Sequence, residues 1–189
     1  MNSTSVTLLQ RVRQRDDQAA WERFVALYAP LLFRWALRAG LAEQDAADLV
    51  QDVLVLLMQE LPEFEYDAGR NFRGWLKTVT INKCRERQRR RVPAAGVGGD
   101  SDPLAELPGA SDLEEFWNAE YRQHLVRKAL EIMRTEFEPN TWQACWEHTV
   151  NDKTAAEVGR QLGLSEAAVY VAKSRVLRRL RQELSGLLD

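Results

Sequence analysis

The sequence predicts an all-α protein of two small helical domains, residues 1–91 and 112–189, joined by a flexible acidic linker at 92–111, with a helix-turn-helix in the second domain. Three observations carry that prediction. Apolar residues recur at alternating steps of three and four on both sides of the linker, the period of an amphipathic helix. No segment makes a convincing strand. Between the periodic regions, the run from Val92 to Ser111 is rich in Gly, Pro and acids, a composition that neither sustains a helix nor buries a core.

A short helix is expected within Thr4 to Arg15. From Asp17 to Ala39 the residues Trp21, Phe24, Val25, Tyr28, Leu31, Leu32 and Trp35 share one helical face, and Pro30, which lacks a backbone donor, is expected to kink it. A second long helix runs from Ala42 to Leu61 with Leu49, Val50, Val53, Leu54, Leu57 and Leu61 inward, and stops at Pro62. After a polar and aromatic loop, Glu63 to Arg70, a third begins near Asn71 and turns Phe72, Trp75, Leu76, Val79 and Cys84 to one side. Beyond the linker, helix resumes near Asp112, with Leu125, Val126, Ala129, Leu130, Ile132 and Met133 inward, and pauses at Glu138-Pro139-Asn140. Thr141 to Thr149, carrying Trp142, Cys145 and Trp146, makes a short helix, and two more follow, Thr154 to Leu162 and Ser165 to Leu184, separated by Gly163-Leu164.

At 189 residues, 45% hydrophobic and 29% charged, the composition is that of a globular protein, and no apolar run approaches the ~18 residues of a membrane span. The polar start, Met1 to Thr7, lacks the basic and apolar stretches of a secretory signal, so the cytoplasm is the expected compartment. Cys84 and Cys145 stand apart and outside metal-ligand spacing, and read as reduced thiols. His124 and His148 have no ligand spacing with them; no phosphate loop, catalytic triad or carboxylate pair stands out. A non-enzymatic protein without metal or cofactor is expected.

The net charge of −2 hides a strong segregation. Arg70 to Arg91 holds nine basic residues against the single acid Glu86, whereas Val92 to Tyr121 holds seven acids and no base. Different segments therefore face different partners. The stretch Thr154 to Val169 has the form of a helix-turn-helix: Gly163 ends the first helix, Ser165 caps the second, and small Gly159 allows a close crossing. Its second helix offers Tyr170, Lys173, Ser174, Arg175, Arg178, Arg179 and Arg181 to phosphates and base edges, although a solvated basic helix is the plainer reading. The basic helix Asn71 to Arg91, with Phe64 and Tyr66 before it and Phe72 at its start, suits single-stranded nucleic acid, where charge tracks the backbone and aromatic rings hold bases. Asp45, Asp48 and Asp52 line one face of the second long helix with Gln44 and Gln51 nearby, either a docking stripe or ordinary solvation.

Taken in order, these segments resemble the extracytoplasmic-function (ECF) group of sigma-70-family transcription initiation factors, and the likeness covers nearly the whole chain. Asp45-Ala46-Ala47-Asp48-Leu49-Val50-Gln51-Asp52-Val53 is similar to the family's polymerase-binding helix, which implies Asp45, Asp48, Leu49, Gln51 and Asp52 as contacts to core RNA polymerase. Phe72 to Asn82, followed by Lys83 to Arg91, is similar to the helix that recognises the −10 element. It implies Tyr66, Asn71, Arg73, Lys77, Asn82, Lys83, Arg85 and Arg87 as promoter contacts, with a flipped base held by the loop from Glu63 to Asn71. The helix-turn-helix corresponds to the −35 reader, which also touches the polymerase flap, and implies Ser165, Glu166, Ala168, Tyr170, Lys173, Ser174, Arg175, Arg178 and Arg179. Two positions depart from the pattern: Ile81 stands where arginine is usual, and Tyr170-Val171-Ala172 replaces the usual Lys-Ser-Arg, which recurs one turn later at 173–175. The expected partners are thus core polymerase, promoter DNA (duplex at −35, melted at −10) and, as a further candidate, an inhibitory anti-sigma factor. The linker either threads the polymerase as a mimic of nucleic acid or serves as a tether. Two rivals stay open on the residues: a stand-alone helix-turn-helix regulator with an N-terminal dimerisation or sensing domain, and a helical adaptor whose basic helix docks an acidic protein.

Overall fold

The computed structural model describes residues 7–14, 16–63, 71–91 and 110–188; the expected linker, most of the loop after Pro62 and its Tyr66 lie outside them. The described residues form eight α-helices and no strand: α1 (Leu8–Val12), α2 (Gln18–Arg38), α3 (Glu43–Glu60), α4 (Phe72–Arg91), α5 (Ala110–Met133), α6 (Pro139–Thr149), α7 (Ala155–Leu162) and α8 (Glu166–Leu184). Side chains placed by the local sequence set most boundaries. Thr7 and Gln10 close a capping box on α1. Asp17 caps α2 by accepting from the Ala20 N–H at 2.9 Å, and is held there by the Arg11 guanidinium at 2.8 Å. α2 continues through Pro30, which lies on the exposed side, so the missing donor costs one helix bond without touching the packed face. The expected pause falls at Phe137 and Glu138, and Pro139 itself is not part of it. It sits in the first turn of α6, where a proline's lack of an N–H costs nothing.

α2 is the hub of the molecule. Phe24, Leu27, Tyr28, Leu31, Leu32 and Trp35 are buried against Leu49, Val53 and Leu57 of α3 and Phe72 and Leu76 of α4. The same core continues into the C-terminal half, taking in Trp117, Tyr121, Leu125, Ala129 and Met133 of α5, and Leu184 and Leu187 at the end of α8. A separate small cluster, Ala144, Ala155, Val158, Val169 and Ala172, holds α6, α7 and the start of α8 together.

The seam between α2 and α5 combines aromatic packing with a chain of polar bonds. Trp35 and Trp117 meet edge to face, with ring centres 6.3 Å apart. The buried Tyr28 hydroxyl donates to that of Tyr121 at 3.0 Å, and Tyr121 donates onward to the Leu187 carbonyl at 2.8 Å. His124, 4% exposed, bridges the helices: Nε2 lies 2.9 Å from the Leu27 carbonyl and Nδ1 lies 2.6 Å from Nη2 of Arg34. A carbonyl only accepts and a guanidinium only donates, which fixes the ring as the neutral Nε2–H tautomer. At the rim, Arg23 of α2 pairs with Glu136 and Glu183, and Arg179 of α8 joins the same two carboxylates at 2.9 and 2.7 Å.

Burial, aided by the facing Arg34, holds the His124 imidazole below its ordinary value of 6.5, because a second ring proton would point at Arg34 with no acceptor. A depressed folded-state value means that the unfolded chain binds more protons, so this contribution is complete above the ordinary value and is lost as pH falls through the folded one. The urea midpoint should therefore hold above the ordinary histidine value of 6.5 and fall as pH drops below it. His124→Gln should lower stability at neutral pH and flatten that slope. An unchanged slope in the variant would assign the acid sensitivity to other groups.

Candidate nucleic-acid interface

The acidic stripe on α3 is built as its spacing predicts, except at two positions. Asp48, Gln51 and Asp52 are exposed on one side, while Asp45 is half-buried. Leu49 is 0% exposed and belongs to the core, so it anchors the stripe from behind and offers no surface to a partner. The stripe continues into two exposed apolar residues not expected there, Val55 at 53% and Met58 at 55% exposure. The signal was present: both fall out of register with inward-facing Leu54 and Leu57, and large apolar side chains left outward at helical spacing mark docking faces.

α4 crosses beside the stripe. Its N-terminus is capped by Asn71, whose Oδ1 accepts from the Gly74 N–H at 2.7 Å. Phe72 packs inward, edge to face with Tyr28 at 5.7 Å, and Arg73 lies over the Tyr121 ring with 5.0 Å from its guanidinium carbon to the centroid. Lys77 is half-buried and Asn82 is exposed. Asn82, Arg85, Glu86 and Arg89 border a shallow recess of about 490 Å³, and Lys83 reaches Glu86 at 3.1 Å. Arg87 turns the other way and pairs with Asp52 at 2.6 Å and Asp48 at 3.5 Å, so the basic helix and the acidic stripe meet there. Ile81 is buried, which accounts chemically for an apolar residue at that position. Cys84 is buried too, and desolvation pushes its thiol up to about 11, far from a reactive thiolate.

The α7–α8 pair forms a tight corner. Thr154 and Glu157 close a capping box at the start of α7, and Ser165 Oγ caps α8 by accepting from the Ala168 N–H at 3.2 Å. Between them Gly163 takes φ +68°, and the Leu164 N–H donates to the Gly159 carbonyl at 2.8 Å. A Cβ on Gly159 would come within 2.6 Å of the Leu164 carbonyl oxygen, so this glycine makes room for the turn itself rather than for a neighbouring helix. Along α8 the residues Glu166, Tyr170, Val171, Ser174, Arg175 and Arg178 are exposed, while Ala168 and Lys173 are half-buried. Arg179 does not join that face: the pairs with Glu136 and Glu183 hold its guanidinium against α2.

A further surface lies between α5 and α6. Val126, Leu130 and Ile132, expected to point inward, are only partly covered, and Val126 and Leu130 line an open groove of about 1360 Å³ with Phe137, Trp142 and the exposed Trp146. Trp142 and Trp146 stack at 6.0 Å there, and Arg122, Arg127 and Arg134 stand around it. The reason is geometric: the side of α5 that meets α2 is filled by Trp117, Tyr121, His124 and Leu125, which leaves Val126 and Leu130 facing away. Among the described residues no group of three His, Cys, Asp or Glu side chains is placed to hold a metal ion.

Residues 24–92, from within α2 to just past the end of α4, match the sigma-70 region 2 family. Similarity to curated proteins extends much further along the chain. The RNA polymerase sigma factor CnrH of Cupriavidus metallidurans is 30% identical over 179 residues, which cover 92% of this chain and 88% of CnrH. The ECF RNA polymerase sigma factor ShbA of Streptomyces griseus is 28% identical over 181 residues, 92% of each chain. SigL of Mycobacterium tuberculosis, also an ECF RNA polymerase sigma factor, is 29% identical over 163 residues, covering 85% of this chain and 86% of SigL. The chain belongs to the ECF group of the sigma-70 family. A stand-alone regulator is not favoured, because these relatives span both halves.

The corner at Gly159 supplies a direct check on the α7–α8 pair. Gly159→Ala should cost about 1–3 kcal/mol, since the backbone oxygen it meets has no rotamer to yield. Gly163→Ala, with open space around it but a left-handed φ, should cost about 1 kcal/mol. Thermal unfolding of the two variants measures the difference; equal losses would contradict the close-approach role of Gly159.

Proposed function

We propose that this chain binds core RNA polymerase through the exposed face of α3 and directs it to promoters, with α4 and the loop before it at the −10 element and the exposed face of α8 at the −35 element. Its work is recognition and positioning rather than catalysis, with the cytoplasm, where polymerase and DNA are, as its place of action. No described helix is long and apolar enough to cross a membrane. The observation that carries the reading is the length of the match to sigma factors, 92% of the chain in two relatives, since a likeness of one helix pair alone would fit any helix-turn-helix protein.

On α3, Asp48, Gln51 and Asp52 supply the polar part of the docking face and Val55 and Met58 its apolar part, the mixture expected of a protein interface. Asp45 and Leu49 hold the helix in place. Arg87, between Asp48 and Asp52, moderates the stripe's charge until a partner competes for it. On α4, Asn82, Lys83, Arg85 and Arg89 provide countercharge and hydrogen bonds for the DNA backbone, with Lys77 and Arg73 nearer the packed end. Tyr66 and the rest of its loop hold the displaced base. The groove beside Trp142 and Trp146 offers the polymerase a second hold, suited to an apolar segment of that partner.

Geometry adds a requirement. Duplex DNA rises about 3.4 Å per base pair, which puts the −10 and −35 elements on the order of 85 Å apart. A chain of 189 residues packed as one body has a radius of gyration of only about 16 Å. Both elements are therefore read together only after α5 leaves α2, with residues 92–109 spanning the gap. Opening also uncovers Arg73, which lies over Tyr121 in the closed form.

The test is reconstitution with core RNA polymerase. Asp48→Lys with Asp52→Lys should abolish co-purification and run-off transcription while leaving helical circular dichroism unchanged, since the exposed pairs with Arg87 are worth only about 0.2–1 kcal/mol each. Full polymerase binding by the double variant would remove α3 from the reading. Transcription equal to that of core alone with the unaltered chain would remove the function.

A further inference from the structure

The exposed side of α8 carries an apolar patch inside a basic field. Val171 is 48% exposed and Tyr170 is 55% exposed, although the rest of the helix sends its apolar residues, Val169, Ala172 and Val176, into the protein. Ala167 lies one turn before Val171 and Arg175 one turn after it, so the three stand in one column. Ser174, Arg178 and Arg181 are exposed alongside. Tyr170 is braced from below: its ring meets the His148 ring edge to face at 5.4 Å, and His148 is itself fixed by a 2.7 Å hydrogen bond to the Lys153 carbonyl. Val171 has no such brace and points outward as a rigid β-branched side chain.

A basic rim selects a polyanion as the occupant, and on a duplex the apolar group available to a helix in the major groove is the 5-methyl of thymine. We propose that Val171, with Ala167, reads the 5-methyl group of a thymine at a fixed position of the −35 element, and that Arg175 takes a neighbouring base edge or phosphate. This rests on the reading of α8 as the −35-binding helix, and it assigns the sequence preference that the replacement of the usual Lys-Ser-Arg leaves open. Thymine specificity then comes from apolar contact at the position where the usual pattern has a serine.

The experiment uses the full chain bound to core RNA polymerase. Preferred upstream elements are selected from a randomised duplex library, and each thymine is then replaced in turn by deoxyuridine, which removes the methyl group alone. With the unaltered chain, one position should weaken binding about fourfold on losing its methyl, the effect of burying one such group. Val171→Ala should bind the thymine duplex about as weakly as the unaltered chain binds the uracil duplex, and should no longer distinguish the two. If no replacement matters, or Val171→Ala stays as sensitive as the unaltered chain, the inference is overturned while DNA binding by α8 stands. If no element is selected at all, the DNA-binding role of α8 fails and the inference with it. If Val171→Ala instead weakens binding to core polymerase without DNA, protein covers this face and the inference is overturned.

Discussion

Two tyrosine hydroxyls buried between α2 and α5 set the arrangement on which the other surfaces depend. Inside an apolar seam, a hydroxyl left without a partner costs about 1–3 kcal/mol, so Tyr28, Tyr121 and the Leu187 carbonyl must meet in one register. His124 adds a second constraint of the same kind, since one ring nitrogen needs the Leu27 carbonyl and the other needs Arg34. Apolar packing of Trp35 on Trp117 supplies attraction but little direction; the polar bonds supply the direction. Acid weakens this seam through His124, whereas packing of shape on shape is indifferent to pH.

With α5 and the end of α8 fixed on one side of α2, the remaining surfaces are sorted. α3 keeps its outer face free, so Asp48, Gln51, Asp52, Val55 and Met58 form a continuous strip. α4 is covered at its first turn, where Arg73 lies on Tyr121, and open at its basic end. The ion cluster of Arg23, Arg179, Glu136 and Glu183 draws one arginine of α8 towards α2 and leaves Arg175 and Arg178 outward. The side of α5 away from the seam, joined by α6, becomes the tryptophan groove. In the proposed function these surfaces share a chain but work far apart on DNA, which makes the seam the element whose opening couples polymerase binding to promoter reading.

Much of this was legible in the sequence because it is local. Asp17, Thr154 and Ser165 mark helix starts through side chains that reach three residues ahead, and Gly163 marks a stop through its left-handed backbone. The faces of α2 and α3 followed from period alone. What escaped was set by contacts distant in sequence. Arg179 looks like one more basic residue on a recognition helix until Glu136 is brought beside it, and Arg87 looks like a DNA contact until Asp48 and Asp52 are. Val126, Leu130 and the tryptophans of α6 have the period of a core, yet α5 has one side to give to α2 and Tyr121 and His124 occupy it. Pro139 reads as a break because a proline that starts a helix and one that ends it look alike in sequence.

The most direct measurement is the distance across the seam in solution. Fluorophores at Ala19→Cys in α2 and Ser185→Cys after α8, both exposed positions, report it by energy transfer without disturbing the buried native thiols. If the seam opens on the promoter, transfer is high in the free chain and falls to a low value when core polymerase and promoter DNA are added together. High transfer that persists in a transcribing complex would contradict that opening, because a closed seam cannot span the two promoter elements.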